Sequence, residues 1–113
     1  MGFDTIAAQT VINLQKEYPH IKLILVIPCN NQTKGWSEKD IVEYERIKEK
    51  ASDVIYTSDH YYNGCMHKRN RYLVDNSSVC ICYLKNTFGG TFYTVNYAKK
   101  NSKIILNIYQ YNI

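Results

Sequence analysis

The feature that most restricts this chain is an alternation that never lapses. Short apolar runs at 22–28, 54–58, 79–84 and 103–109 are each preceded by a stretch whose apolar residues recur at helical spacing. The first run, Lys-Leu-Ile-Leu-Val-Ile-Pro over 22–28, is continuous, the pattern of a strand covered on both faces. An α-β-α-β-α-β-α-β order predicts a mostly parallel sheet with helices on both sides, a Rossmann-like three-layer α/β sandwich. A length of 113 residues fits one such domain, 1–113, and leaves no room for a second core. The order begins with a helix, whereas most nucleotide-binding α/β domains begin with a strand whose first turn holds phosphate.

The helices can be placed from their ends. Asp4 can cap a first helix reaching about residue 17, with Ile6, Ala7, Val11, Leu14 and Tyr18 along one face, and Pro19 stops it. Ser37 caps a second helix, Asp40 answers from three residues on in a weaker capping box, and Trp36 is placed to staple onto Ile41. Ile41, Tyr44, Ile47 and Ala51 form the buried stripe of that helix. A third helix covers about 65–76. Gly89-Gly90-Thr91 opens a fourth that runs to about residue 101 with Val95 and Ala98 inward.

Composition removes several function classes. A net charge of +4 suits an anionic ligand but is far from the dense basic stripe of a dedicated duplex binder. The four cysteines, Cys29, Cys65, Cys80 and Cys82, make no Cys-x-x-Cys pair; their spacing argues against a zinc site and for buried reduced thiols. Neither a cofactor nor a metal is expected. The start Met1-Gly2-Phe3-Asp4 lacks a charged region followed by an apolar one, so no signal peptide is expected, and no run approaches the ~18 apolar residues of a membrane span. A cytoplasmic setting is expected. Eleven tyrosines suit half-buried pocket walls, although β propensity and codon bias would also supply them.

Open parallel sheets bind ligands at the carboxyl ends of their strands. That rule nominates the amino end of the first helix (Gly2, Asp4), the segment from Pro28 through Gln32 to Trp36, the loop from Ser58 to Gly64 with Tyr61, and the segment from Lys85 to Thr91. In the last of these, paired glycines let backbone N–H groups approach a phosphate at a helix N-terminus, and Thr91 adds a hydroxyl. A plain tight turn would use the same residues. In Met66-His67-Lys68-Arg69-Asn70-Arg71, Arg69 and Asn70 are expected to point to the site with Lys68 and Arg71 flanking outward; a merely solvated helix face is the competing reading.

Three sets of residues carry a resemblance. They are Gly2-Phe3-Asp4-Thr5-Ile6-Ala7-Ala8 followed by Leu-Ile-Leu-Val-Ile-Pro-Cys (23–29), Gln32 and Trp36; Gly64-Cys65-Met66 with Arg69-Asn70-Arg71-Tyr72; and Gly89-Gly90-Thr91 with Thr94-Val95 and Tyr97-Ala98. In this order they resemble the YpsA-like branch of the SLOG superfamily across nearly the whole chain. The resemblance implies a Rossmann-like fold and a pocket for nucleotides or NAD-derived molecules. Relatives with hydrolase activity carry Pro-Gly-Gly-x-Gly-Thr-x-x-Glu and an arginine on the preceding helix. Arg69 matches that arginine, Gly90-Thr91 match the Gly-Thr, and the glutamate position falls on Thr94, which cannot act as a carboxylate. The branch also implies a strand, a Thr-Gly-His-Arg-like loop, a helix and a second strand ahead of Gly2, with those strands mid-sheet. A naturally trimmed form, its edges and apolar faces covered in a homo-oligomer, is the expectation; a fragment is the alternative.

The residues and the resemblance together point first to a non-catalytic nucleotide binder; an ADP-ribose-type or cyclic signal as its ligand, and sequestration of an antiviral messenger as its use, are what the resemblance implies. The alternative is a phosphoribohydrolase-like N-glycosidase in which Asp4, Asp59 or Asp75 replaces the glutamate. A third reading, single-stranded nucleic-acid binding through Lys68, Arg69, Arg71, Lys99, Lys100 and Lys103, ranks below both.

Overall fold

The computed structural model describes residues 2–111. The alternation read from the sequence is present: α1 (Phe3–Leu14), β1 (Ile24–Ile27), α2 (Glu38–Lys50), β2 (Asp53–Tyr56), α3 (Cys65–Asp75), β3 (Val79–Cys82), α4 (Gly90–Lys100), β4 (Ile104–Asn107) and a closing 3-10 turn, Ile108–Tyr111. Contacts divide the chain into two units, Met1–Tyr61 and Tyr62–Ile113. Each has the order helix–strand–helix–strand. β1 pairs with β2 and β3 with β4, both in parallel, so the fold is α/β of the Rossmann-like kind with its strands in two short parallel pairs.

In the first unit, Ala8 of α1, Leu23 and Ile47 of α2 form the buried centre, with Val11, Ile12, Leu25 and Ala51 packed against it. Hydrogen bonds past both ends of the ladder, from Ser52 N–H to Leu23 O (2.8 Å) and Thr57 N–H to Ile27 O (3.0 Å), lengthen the pairing of β1 with β2. The α2 start is as read: the Ser37 side chain accepts from the Asp40 N–H at 3.2 Å. The α1 reading needs correction. Its N-cap is Gly2, so Asp4 lies in the first turn, where its charge suits the helix dipole instead of capping. Ile6, Ala7, Leu14 and Tyr18 are exposed, and the inner face is set by Ala8.

In the second unit, α3 packs against α4, and α4 lies across both strands. Val95 and Ala98 are buried as expected, together with Cys65, Val74 and Cys82. Gly64 caps α3 at φ 101°, a left-handed conformation that glycine reaches at no steric cost. The run at 103–109 is strand only to Asn107; Ile108 and Tyr109 turn into the 3-10 segment.

Candidate functional site

The sequence candidates fall half in each unit. In the first, Gly2 accepts the Ile6 N–H at 3.3 Å as the opening bond of α1, and Asp4 follows in that helix's first turn. Beyond the carboxyl end of β1, Pro28 is fully buried and presents no surface to a ligand. Gln32 is half-buried and Trp36 exposed in the following loop, and Tyr61 is strongly exposed.

Trp36 has company. Its ring meets Tyr44 edge-on at 5.6 Å, and the Lys48 ammonium stands 5.9 Å from the Tyr44 ring and 5.5 Å from that of Tyr56, the last residue of β2. The Tyr56 hydroxyl is the main cause of a raised Lys48 pKa, and burial is the main cause of a raised Tyr44 pKa. Three aromatic rings, those of Trp36, Tyr44 and Tyr56, and one cation therefore gather near the carboxyl ends of β1 and β2. Tyr44 and Lys48 belong to α2; the sequence placed Tyr44 only on the buried stripe of that helix and gave no signal for Lys48.

In the second unit, Gly89 is the N-cap of α4 at φ 95°, with no side-chain cap bond. A methyl group placed on Gly89 or Gly90 would meet nothing within 4 Å. The glycines thus border open space, and it is the backbone conformation of Gly89 that requires its residue type. Thr91 is exposed in the first turn. Thr94 donates its hydroxyl to Gly90 O at 3.0 Å, which lays that side chain back along the helix toward the glycine turn. The dipole of α4 and its uncapped first amides make this end attractive to an anion.

Arg69 of α3 is only 9% exposed, and its Nε donates to Asn70 Oδ1 at 2.8 Å. A guanidinium so placed is withdrawn from bulk water and aimed by its neighbour. Lys68 is exposed, as expected of a flanking charge, and Arg71 is half-buried with its hydrogen bond at the surface. Its Nη1 donates to Tyr93 OH at 3.3 Å across to α4. The same seam continues with Tyr97 OH donating to Asp75 Oδ1 at 2.7 Å and with the His67 ring against Tyr93 at 4.6 Å. His67, Arg71 and Asp75 recur every four residues on α3, and Tyr93 and Tyr97 every four on α4, so one face of each helix meets the other. The Asp75 hydrogen bond, first among the causes, raises the Tyr97 pKa.

Asn107 is a positioning residue that the sequence did not disclose. Its Oδ1 accepts from the Leu84 N–H (3.0 Å) and the Tyr109 N–H (3.2 Å), and its Nδ2 donates to Leu84 O (2.8 Å). The carboxamide thus imitates one more peptide of the ladder and anchors the chain leaving β3 just before the glycine turn. Phe88, immediately ahead of Gly89, is 73% exposed. An Asn inside an apolar run gives no warning of such an anchoring role. Among the described residues, no helix is long and apolar enough to cross a membrane.

Comparison with known proteins places the chain in a family. The YspA SLOG family, YpsA, matches residues 1–112. An uncharacterized SPbeta prophage-derived protein, YoqJ, of Bacillus subtilis is 30% identical over 112 residues, covering 88% of this chain and 66% of that protein. UPF0398 proteins of Brevibacillus brevis and Bacillus licheniformis are 33% and 32% identical, covering 68% and 88% of this chain but 42% and 56% of their own lengths. The chain therefore spans between 42% and 66% of these relatives. With an α/β fold of parallel strands, a glycine turn opening a helix and a family match over nearly its whole length, the chain belongs to the YspA SLOG family.

Proposed function

We propose that this protein binds a nucleotide or an NAD-derived signal of the ADP-ribose or cyclic type without turning it over. The observation that carries the reading is the start of α4, where Gly89 at φ 95° leaves the first amides uncapped beside open space. Phosphate sits at those amides and the Thr91 hydroxyl, with Arg69 as its guanidinium partner. The exposed Phe88 ring beside the turn stacks on the base. Family membership supports nucleotide-related binding.

The absence of turnover follows from Thr94. Its hydroxyl occupies the place where related hydrolases put a carboxylate, and a hydroxyl cannot serve as the acid or base of glycosidic cleavage near neutral pH. Asp75, one of the substitutes that an N-glycosidase would need, is engaged by Tyr97. A binder without turnover is suited to sequestering a messenger in the cytoplasm, as an anti-defence sponge does, and the prophage derivation of the related YoqJ fits that use. A homo-oligomer is part of the same proposal.

Calorimetry with ADP-ribose, cyclic ADP-ribose isomers and cyclic dinucleotides tests this. Binding is expected for one class and weakens by several kcal/mol in Thr91→Ala combined with Arg69→Ala, since hydrogen bonds to charged groups contribute about 1.5–3 kcal/mol each. Flat traces across the panel overturn the binder, and release of free base from any of these ligands overturns the non-catalytic reading.

A further inference from the structure

The outward face of the β3–β4 pair carries Val79 and Ile81 opposite Ile104 and Leu106, in register as Val79↔Ile104 and Ile81↔Leu106. The four are 41%, 58%, 60% and 41% exposed. The alternate residues of both strands, Cys80, Cys82, Ile105 and Asn107, are half-buried or buried on the other face. Just past the strand ends, Tyr83 and Ile108 are exposed as well. This is an unusual state for parallel strands, which occur almost only with both faces covered.

We infer that this face is where two copies of the 113-residue chain pair. Three features favour a second copy over a foreign partner. First, none of the six residues is charged, so two such faces can meet without burying an unpaired charge, although the chain as a whole carries +4. Second, a row of aliphatic side chains on a sheet is self-complementary under a two-fold axis, as an isologous contact demands, and two sheet faces stack at about 10 Å with their side chains interdigitating. Third, the area suffices. Six such side chains at these exposures present on the order of 500 Å² per copy, so a pair buries roughly the 1,000 Å² that marks a specific interface.

Sedimentation of the 113-residue chain across a concentration series tests the inference, and it reads mass, so its outcome is independent of nucleotide binding. The wild type is expected to sediment at twice 13.2 kDa. Ile81→Asp and Ile104→Lys each weaken pairing by about tenfold or more, since each places a charge at the centre of a desolvated patch. Circular dichroism should be unchanged, because both side chains already face solvent in the single copy. Mixing the two variants returns mass toward the dimer. That rescue also answers the objection of a misfolded variant, and Ile104→Ser supplies an uncharged second variant with a smaller loss. A wild type that stays at 13.2 kDa at every concentration, or a dimer indifferent to all three substitutions, overturns it.

Discussion

Asn107→Ala is the substitution whose cost can be worked most directly from the geometry. The wild-type carboxamide makes the three hydrogen bonds described above, to the N–H and C=O of Leu84 and to the N–H of Tyr109. The two to Leu84 are part-buried and the third is exposed. A neutral hydrogen bond contributes about 0.5–1.5 kcal/mol net, and a partner left dry costs more than one that water reaches. Losing all three therefore lowers stability by about 2–3 kcal/mol, most of it at Leu84. Asn107→Asp separates the terms. It keeps both acceptor bonds and loses the donor, placing a carboxylate oxygen against the Leu84 carbonyl, so it lies between wild type and alanine.

Global unfolding alone is a blunt assay here, because a chain of two units need not melt in one step. Hydrogen exchange at the Leu84 amide is the sharper one. Its protection is expected to fall in Asn107→Ala and to survive largely in Asn107→Asp, while amides in α2 and β1 keep their rates. The same change should loosen the approach to the glycine turn and weaken nucleotide binding, with Thr91 and Arg69 intact. An unaltered Leu84 amide in the alanine variant refutes the assignment of Asn107 as the anchor of this segment.

Other perturbations give equally definite signs. Ser102 follows α4 at φ 60°, a conformation costing a residue with a Cβ about 1 kcal/mol, so Ser102→Gly should raise the urea midpoint and Ser102→Val lower it. Phe88→Ala should weaken nucleotide binding by about 1–3 kcal/mol if its ring stacks on a base, with no loss of melting temperature, because the ring is 73% exposed. Burial is the main cause of raised thiol pKa values at Cys80 and Cys82. Folding then favours the protonated thiols, so their contribution is whole below the ordinary value of 9.0 and is lost as pH rises through the raised folded-state values. Stability should decline above that point, less steeply in Cys82→Ala, and the raised Tyr97 adds a further decline above 10.0, both read from urea midpoints over an alkaline pH series.

Local chemistry explains which of these features could be read in advance. The Ser37 cap, the glycine turn of α4 and the inward Val95 and Ala98 depend on residues within a turn of one another, and the sequence contains all of them. The inner face of α1 was misassigned because Phe-Asp-Thr-Ile-Ala-Ala-Gln-Thr-Val-Ile-Asn-Leu has apolar residues around much of its circumference. Two stripes are then equally plausible, and packing against α2 chooses the one through Ala8. The Arg71 bond to Tyr93 was not foreseen, since Tyr93 lies on another helix 22 positions away. Asn107 was read as one more strand residue for the same reason: its partner Leu84 is 23 positions distant. What was legible is short-range; what was missed is contact across elements.

Thr94→Glu puts the functional proposal to its hardest test, because it restores the residue type that related hydrolases use. The Thr94 hydroxyl reaches back to Gly90 O, and a glutamate at 94 would lie along the same line, its carboxylate near the glycine turn. Two effects then act in opposite directions. Glutamate is a better helix former than threonine and its charge is favourable toward a helix N-terminus, so stability should rise by roughly 0.5 kcal/mol. If phosphate occupies the same amides, the new carboxylate repels it and competes for its donors, so nucleotide affinity should fall by about tenfold or more. Free base should still not be released, since one carboxylate without a shaped acid–base environment does not make a glycosidase. Chemical denaturation and calorimetry on the same variant read the two signs separately. A variant that is more stable and binds as tightly as wild type would show that the anion is not held at the start of α4, whatever else the protein binds.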